Sequence, residues 1–301
     1  MDPRVQEGGL PALCGPEGGL PEPGRRGGAG RIRAVVWVDA EARTVAGLLR
    51  DADLLDDVLR AAGHRVRRRP GRWLGPGDLL TIGVRVLPGL RVPVVVEVRA
   101  VGPAELSAEV RSRPWRGSRW SARLVPVGTG TEVRDGWRAG PLTRLLARRP
   151  LRRLRSARAE RLVAAATAVG AGAVVVATAL VRDGAVLAAQ RTRPPALAGR
   201  WELAGGRVEA GEAEEDAVVR ECREELGCAV SPTGRVGTDL LIDAGVLRVH
   251  AAVLVDGSAP TALEHAGLRW VGPAELEAVD WVDADRAVLP DLRALLGPST
   301  T

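Results

Sequence analysis

Glu221, Glu224 and Glu225 stand at i, i+3 and i+4 within Ala213–Gly227, a stretch whose composition predicts a helix ended by Gly227. That spacing puts three carboxylates on one helix face. Three such groups repel one another unless a cation neutralises them. Hard oxygen donors with room for water suit Mg2+ or Mn2+. The Gly205-Gly206 turn just upstream lets the backbone come close to a metal or to phosphates. Arg220 is placed to pair with Glu224 at i+4 or to reach back to Glu212, bracing the loop. Glutamate-rich helices of this kind are usually ordinary salt-bridged surface helices. The glycine turn and Glu212, both in register with the helix, favour the metal-binding reading here.

The segment Trp201–Val230 reads WELAGGRVEAGEAEEDAVVRECREELGCAV. Gly206, Glu212, Arg220, Glu221, Glu224, Glu225 and Gly227 fill all seven fixed places of G-x5-E-x7-R-E-U-x-E-E-x-G-U, where U is aliphatic. The segment resembles the Nudix box. Cys222 and Cys228 replace the two aliphatic residues and read as small core hydrophobes. The flanking text is similar to MutT-type nucleoside triphosphate pyrophosphohydrolases over residues 173–297. The resemblance implies an α/β/α Nudix fold and metal-assisted attack of water on one phosphorus of a (deoxy)nucleoside triphosphate. A monophosphate and pyrophosphate would be the products. It also implies that the Gly205 carbonyl and the carboxylates of Glu221, Glu224 and Glu225 hold magnesium, or manganese, with Glu212 and Arg220 supporting them. Glu264 falls where relatives supply another acidic ligand or base; the competing reading is a solvent-facing loop residue. Arg191 falls at a phosphate-contacting place, or is an exposed strand-end arginine. Asp285 matches the place of a base-reading asparagine, or caps the last helix. Ala204, where many relatives carry proline, and the wording around Glu264 lean towards pyrimidine nucleotides as well as oxidised purines such as 8-oxo-dGTP. His64 and His250 read as structural or exposed, while His265 beside Glu264 is a candidate site lining.

The elements around the motif are legible in part. Ala173–Arg191 reads as two strands about the Asp183-Gly184 turn, LRVHAAVLV as a later strand, and the segment from Asp280 as a closing helix. Leu162 to Val181 carries no charge over 20 residues, a span long enough for a bilayer. Its alanines, threonines and paired glycines instead predict a helix end, a Gly170–Gly172 hinge and a buried strand.

Residues 31–165 follow a different plan. Arg31–Val38 alternates as a strand, and Ala40–Gly63 has helical apolar spacing. Five strand-like runs follow, over 78–86, 91–101, 104–113, 118–127 and 131–138. A basic helix over Pro141–Leu162, interrupted at Pro150, closes the segment. This α+β order resembles the START-like (SRPBCC) helix-grip superfamily, in which a curved sheet wraps a long helix and often encloses an apolar ligand. The expected organisation is therefore a disordered Gly/Pro-rich tail over 1–30, a START-like domain over 31–165, a linker over 166–172 and a Nudix hydrolase domain over 173–298.

Charge divides along the same line. Residues 1–172 hold 31 arginines and 17 acids, and residues 173–301 hold 12 and 20, so a basic half joins an acidic half. The eight arginines of Arg144–Arg161 read as a solvated helix face docking on the acidic second half rather than as a nucleic-acid or anionic-lipid surface, because no exposed aromatic or groove-reading element is legible beside them. Tyr and Phe are absent, so eight tryptophans supply all large aromatic packing. Three cysteines and the lack of a signal-like apolar segment fit a reducing cytoplasm. Two other functions compete with hydrolysis. One is a non-catalytic nucleotide sensor fused to an apolar-ligand carrier. The other is a nucleic-acid- or membrane-associated protein led by the arginine-rich helix.

Overall fold

The computed structural model describes residues 31–297 except 69, 70, 88, 114, 140 and 256. The expected tail over 1–30 lies outside the described residues, as do residues 298–301.

The first unit opens with strand β1 (Arg31–Val38), whose Val36 and Val38 face a core while Val35 and Trp37 are exposed. The helical stretch expected over Ala40–Gly63 is two helices, α1 (Ala42–Arg50) and α2 (Ala52–Ala61). Asp51 breaks it. Its backbone is extended, and its carboxylate accepts hydrogen bonds from the Asp53 and Leu54 amides, capping α2. Six strands follow: β2 (Arg65–Arg68), β3 (Leu79–Leu87), β4 (Leu90–Val101), β5 (Glu105–Val110), β6 (Arg119–Val127) and β7 (Gly130–Arg138). They form one antiparallel sheet with β1, in the order β1-β7-β6-β5-β4-β3-β2.

Helix α3 runs without a break from Pro141 to Gly170. The expected interruption at Pro150 does not occur, and residues 166–170 of the expected linker are the last turns of the helix. Proline removes one hydrogen bond locally. Against that, Leu154 and Ala157 pack on Val58 and Ala62, and Leu162 and Ala166 join the core formed by α1 and the sheet. No helix among the described residues is long and apolar enough to cross a membrane.

The second unit is built on β8 (Val174–Arg182), β9 (Ala185–Gln190), β10 (Trp201–Glu202), β11 (Gly205–Arg207), β12 (Val230–Ile242), β13 (Gly245–Leu254) and β14 (Gly267–Val271). The strand order is β10-β9-β8-β13-β12, with β11 on β8 and β14 on β9. Asp183 and Gly184 both have positive φ, as the two-residue turn between β8 and β9 requires. β8 is buried on both faces. Val176 and Leu180 pack towards helix α4 (Glu214–Leu226), and Ala177 and Ala179 pack towards the opposite core with Trp281. The closing helix is split into α5 (Asp283–Arg286) and α6 (Leu289–Leu296).

The two units meet where α1 lies on β12. A Cβ at Gly47 would come within 1.8 Å of the Asp239 carbonyl oxygen, so glycine is what permits this approach. Thr44 Oγ1 donates to Asp239 at 2.8 Å, and Trp73 Nε1 donates to the Leu241 carbonyl at 3.2 Å. Buried Arg50 donates to Thr238 Oγ1 at 3.1 Å and to the Ala287 carbonyl at 2.8 Å. Its own unit holds it through the Leu74 carbonyl at 3.1 Å. The buried polar atoms of Thr44 and Arg50 and the Trp73 indole N–H are therefore satisfied across the junction.

Candidate active site

Helix α4 begins after Ala213 and ends at Gly227, which takes the left-handed conformation with φ 62. Ala217, Val218, Cys222 and Leu226 bury one face against the sheet. Burial pushes the Cys222 thiol up to about 12, as befits a core residue that does not ionise. The opposite edge of the helix carries Glu221, Glu224 and Glu225.

The glycine turn receives two of these carboxylates. A Cβ at Gly206 would stand 2.2 Å from Glu221 Oε1, so the carboxylate occupies space that any other residue would fill. Gly205 N–H donates to Glu225 Oε2 at 2.9 Å. Gly205 is itself pinned to β8, since a Cβ there would meet the Val176 carbonyl oxygen at 2.1 Å. β11 thus brings adjacent glycines against two glutamates one helical turn apart.

Arg220 makes every contact expected of it. Nε and Nη2 form a fork on Glu212 at 2.8 and 3.0 Å, and Nη2 also donates to the Arg207 carbonyl at 3.0 Å. Nη1 donates to both Glu221 at 2.8 Å and Glu224 at 3.2 Å, which places these two carboxylates on one face. The fork and the Glu209 amide hold the Glu212 carboxyl down at about 2. Among the described residues no three His, Cys, Asp or Glu side chains converge as a ready-made metal cage. The carboxylates are instead drawn onto Arg220 and the Gly205 amide. The donor set is all hard oxygen, and the glycine cradle leaves the backbone open beside it. Both features suit a divalent cation such as Mg2+.

Glu225 lies between this cluster and a second one. Burial pushes its carboxyl up, opposed by nearby His265 and by the Gly205 N–H. Glu202, on β10, accepts from His265 Nε2 at 3.2 Å and from Arg191. That hydrogen bond pulls the His265 imidazole up from its ordinary range, with burial opposing. Arg191 is therefore half-buried beside the cluster, with its Nε also donating to the Arg193 carbonyl at 3.0 Å. Glu264 is not brought in. Its exposed carboxylate pairs with Arg193 at 3.3 Å, and the next residue, His265, turns inward instead.

Asp285 is buried in α5 and does not cap it; the residue before the helix is Val282. Its Oδ2 accepts from the Leu203 amide at 3.0 Å, in the loop before the glycine turn. Burial pushes the carboxyl up to about 7.

The start of α4 is anchored from behind. Glu214 Oε2 lies 3.0 Å from His250 Nε2, and its other oxygen accepts from Arg248. Arg248 in turn reaches Asp239 at 3.2 Å, at the junction with α1. The His250 hydrogen bond, and then Arg248, hold the Glu214 carboxyl down at about 2 against a burial cost. A depressed carboxyl stabilises the fold fully above its unfolded value of about 4.5 and loses that contribution as pH falls towards about 2. The full shift corresponds to roughly 3 kcal/mol. Acid titration of unfolding should show this loss between those limits, and Glu214→Gln should flatten it.

Sequence reasoning placed the helix carboxylates, Glu212, Arg220, Arg191 and Asp285 near one another, and the structure gathers them. It missed Glu202 and Glu214. The alternation around Trp201–Glu202 is a two-residue strand, too short to register as a pattern.

Residues 171–292 match the family described as NUDIX domain. The chain is 49% identical over 130 residues to a Mycobacterium tuberculosis protein named "Putative 8-oxo-dGTP diphosphatase 2", covering 42% of this chain and 92% of that one. It is 37% identical over 123 residues to the CTP pyrophosphohydrolase of Escherichia coli K12, covering 40% and 91%. Among solved structures, the E. coli ORF135 protein is 36% identical, with a TM-score of 0.37 over 42% of this chain and 93% of that one. The MutT NUDIX hydrolase of Burkholderia pseudomallei is 33% identical, with a TM-score of 0.34 over 40% and 97%.

Proposed function

Because the chain belongs to the NUDIX family, hydrolases of acid anhydrides, we propose that residues 173–298 split a (deoxy)nucleoside triphosphate into monophosphate and pyrophosphate. The observation that carries this reading is the single edge of α4 on which Glu221 and Glu225 meet Gly206 and Gly205 while Arg220 draws Glu224 alongside Glu221. Mg2+, or Mn2+, held by these carboxylates and the Gly205 carbonyl would supply charge neutralisation and an acidified water. With the Glu264 carboxylate exposed on Arg193, we assign Glu264 the solvent-facing loop role and give the inward place beside Glu225 to His265 and Glu202. Arg220 keeps the carboxylates aligned. Arg191, tethered by Glu202, is the cation we assign to the phosphates.

The base would meet Asp285. An ionised aspartate only accepts hydrogen bonds, whereas a carboxyl raised to about 7 is partly protonated near neutral pH and can also donate. Oxidised purine and cytosine nucleotides are the substrates we favour, in line with the names of the two relatives. The test is a panel of nucleotides, including 8-oxo-dGTP, CTP and dCTP, assayed for pyrophosphate and monophosphate with and without Mg2+. Stoichiometric release of both, dependent on the ion, is expected. Tight nucleotide binding without turnover would replace the hydrolase with a sensor.

For residues 31–165 we propose the START-like helix-grip domain. Its support is the order of one strand, two helices, six strands and a long helix, together with an apolar cavity of about 170 Å3. Leu54, Val98, Trp120 and Leu162 are among its walls, and an apolar small molecule is the ligand we assign to it. We place the chain in the cytoplasm, where its buried free Cys222 and Cys228 would stay reduced.

A further inference from the structure

The face of the first sheet that points away from α3 carries a feature unrelated to the hydrolase site. A depression of about 780 Å3 lies over β5, β6 and β7. Arg99, Arg119, Arg123, Arg134 and Arg138 wall it, against Glu105, Glu109 and Asp135, the last of which is paired with Arg158. The floor includes Ser107, Ser121 and Gly136, whose small side chains leave the recess open. Arg99 and Arg119 share Glu109, at 3.0 and 3.7 Å, and Arg134 pairs with Glu132. Arg123 and Arg138 are exposed and have no ion-pair partner among the described residues. The recess therefore has surplus positive charge, and these two arginines stand on the adjacent strands β6 and β7.

An aromatic ring stands next to it. Val35 is on the rim, and Trp37, one repeat further along β1 on the same face, is 51% exposed. A Cβ at Gly130 would lie 2.7 Å from Trp37 Cζ2, so the ring packs close to the glycine while about half of the residue's surface stays exposed. A tryptophan seated this way is a stacking platform.

We propose that this face binds single-stranded nucleic acid, with phosphates in the arginine-walled recess and an unpaired base on Trp37. The juxtaposition of recessed cations and an open ring is what selects the partner. A bilayer would meet a raised apolar surface rather than a recess. A duplex keeps its base faces stacked and offers none to the ring. The inference does not rest on nucleotide hydrolysis.

The test is fluorescence anisotropy of a labelled unpaired oligonucleotide with the full chain across a salt series. Binding should weaken with salt, and Arg123→Ala with Arg138→Ala should flatten the logarithmic slope by about 1.4, twice the ~0.7 per phosphate contact on single strands. Trp37→Ala should lower affinity about tenfold even at high salt, and Trp37→Phe should restore most of it. A merely electrostatic surface would leave the tryptophan variants unchanged. The proposal is overturned if neither set of variants moves the affinity. It is equally overturned if polyglutamate or phosphatidylserine vesicles bind as tightly as the oligonucleotide with the same response to Trp37→Ala.

Discussion

Glu225→Gln should reduce pyrophosphate release on the order of a thousandfold while leaving the fold as stable as before, or more so. The amide preserves size and the acceptor for the Gly205 N–H, which is 2.9 Å away. It removes the charge. Loss of a carboxylate that neutralises a catalytic cation costs several kcal/mol in the transition state, and each 1.36 kcal/mol is about a factor of ten in rate. Stability should move the other way because burial and the neighbouring Glu221 and Glu202 charges all disfavour ionised Glu225 in the ion-free protein. Differential scanning calorimetry and a pyrophosphate assay on one preparation would read both effects. The Mg2+-dependent rise in Tm of the parent should shrink in the variant. Glu224→Gln, at a more exposed place on the same edge, should lose turnover by the same logic. Turnover at the parent level in both variants would remove the metal site, and with it the nucleotide hydrolysis proposed here.

The site was legible because its residues are local in sequence. Seven fixed positions within Gly206–Gly227 specify a turn, a helix and its charged edge, and α4 forms over nearly the stretch predicted. The β8–β9 turn was equally local, since Asp183-Gly184 carries its own conformational signature. What escaped depends on tertiary packing. β12 is the longest strand of the second sheet, but Pro232, Gly234 and Gly237 interrupt its text, and two register shifts absorb them. β2 was hidden in a run of arginines, where charge masks alternation. Asp51 divides α1 from α2 through a cap that the surrounding leucines conceal. Pro150 made the opposite error, because a local breaker was outweighed by packing along the rest of α3. Glu264 and His265 differ by one position, and only the backbone path into β14 decides which side chain faces the cluster.

Arg220→Met should separate the metal-site reading of α4 from the ordinary salt-bridged helix more sharply than any carboxylate variant. Arg220 holds three acids at once, with a fork on Glu212 and one nitrogen shared by Glu221 and Glu224. Methionine keeps much of the apolar stem and removes all five donors. The three carboxylates are then left to repel one another, so the ion-free protein should melt several degrees lower. Turnover should fall by about 10- to 100-fold, the usual cost of losing a residue that orients metal ligands. Arg220→Lys should lie between the two, since an ammonium restores charge but cannot form the fork. The decisive readout is Mg2+. In the parent the ion must compete with Arg220 for Glu221 and Glu224, whereas in Arg220→Met those carboxylates are free to receive it. Mg2+ should therefore raise the Tm of the methionine variant more than that of the parent, even though the variant turns over substrate more slowly. A helix whose glutamates only serve surface ion pairs would show a small loss of stability and no greater response to Mg2+. Opposite signs for ion-induced stabilisation and for catalysis in one variant follow only if the arginine and the cation address the same carboxylates.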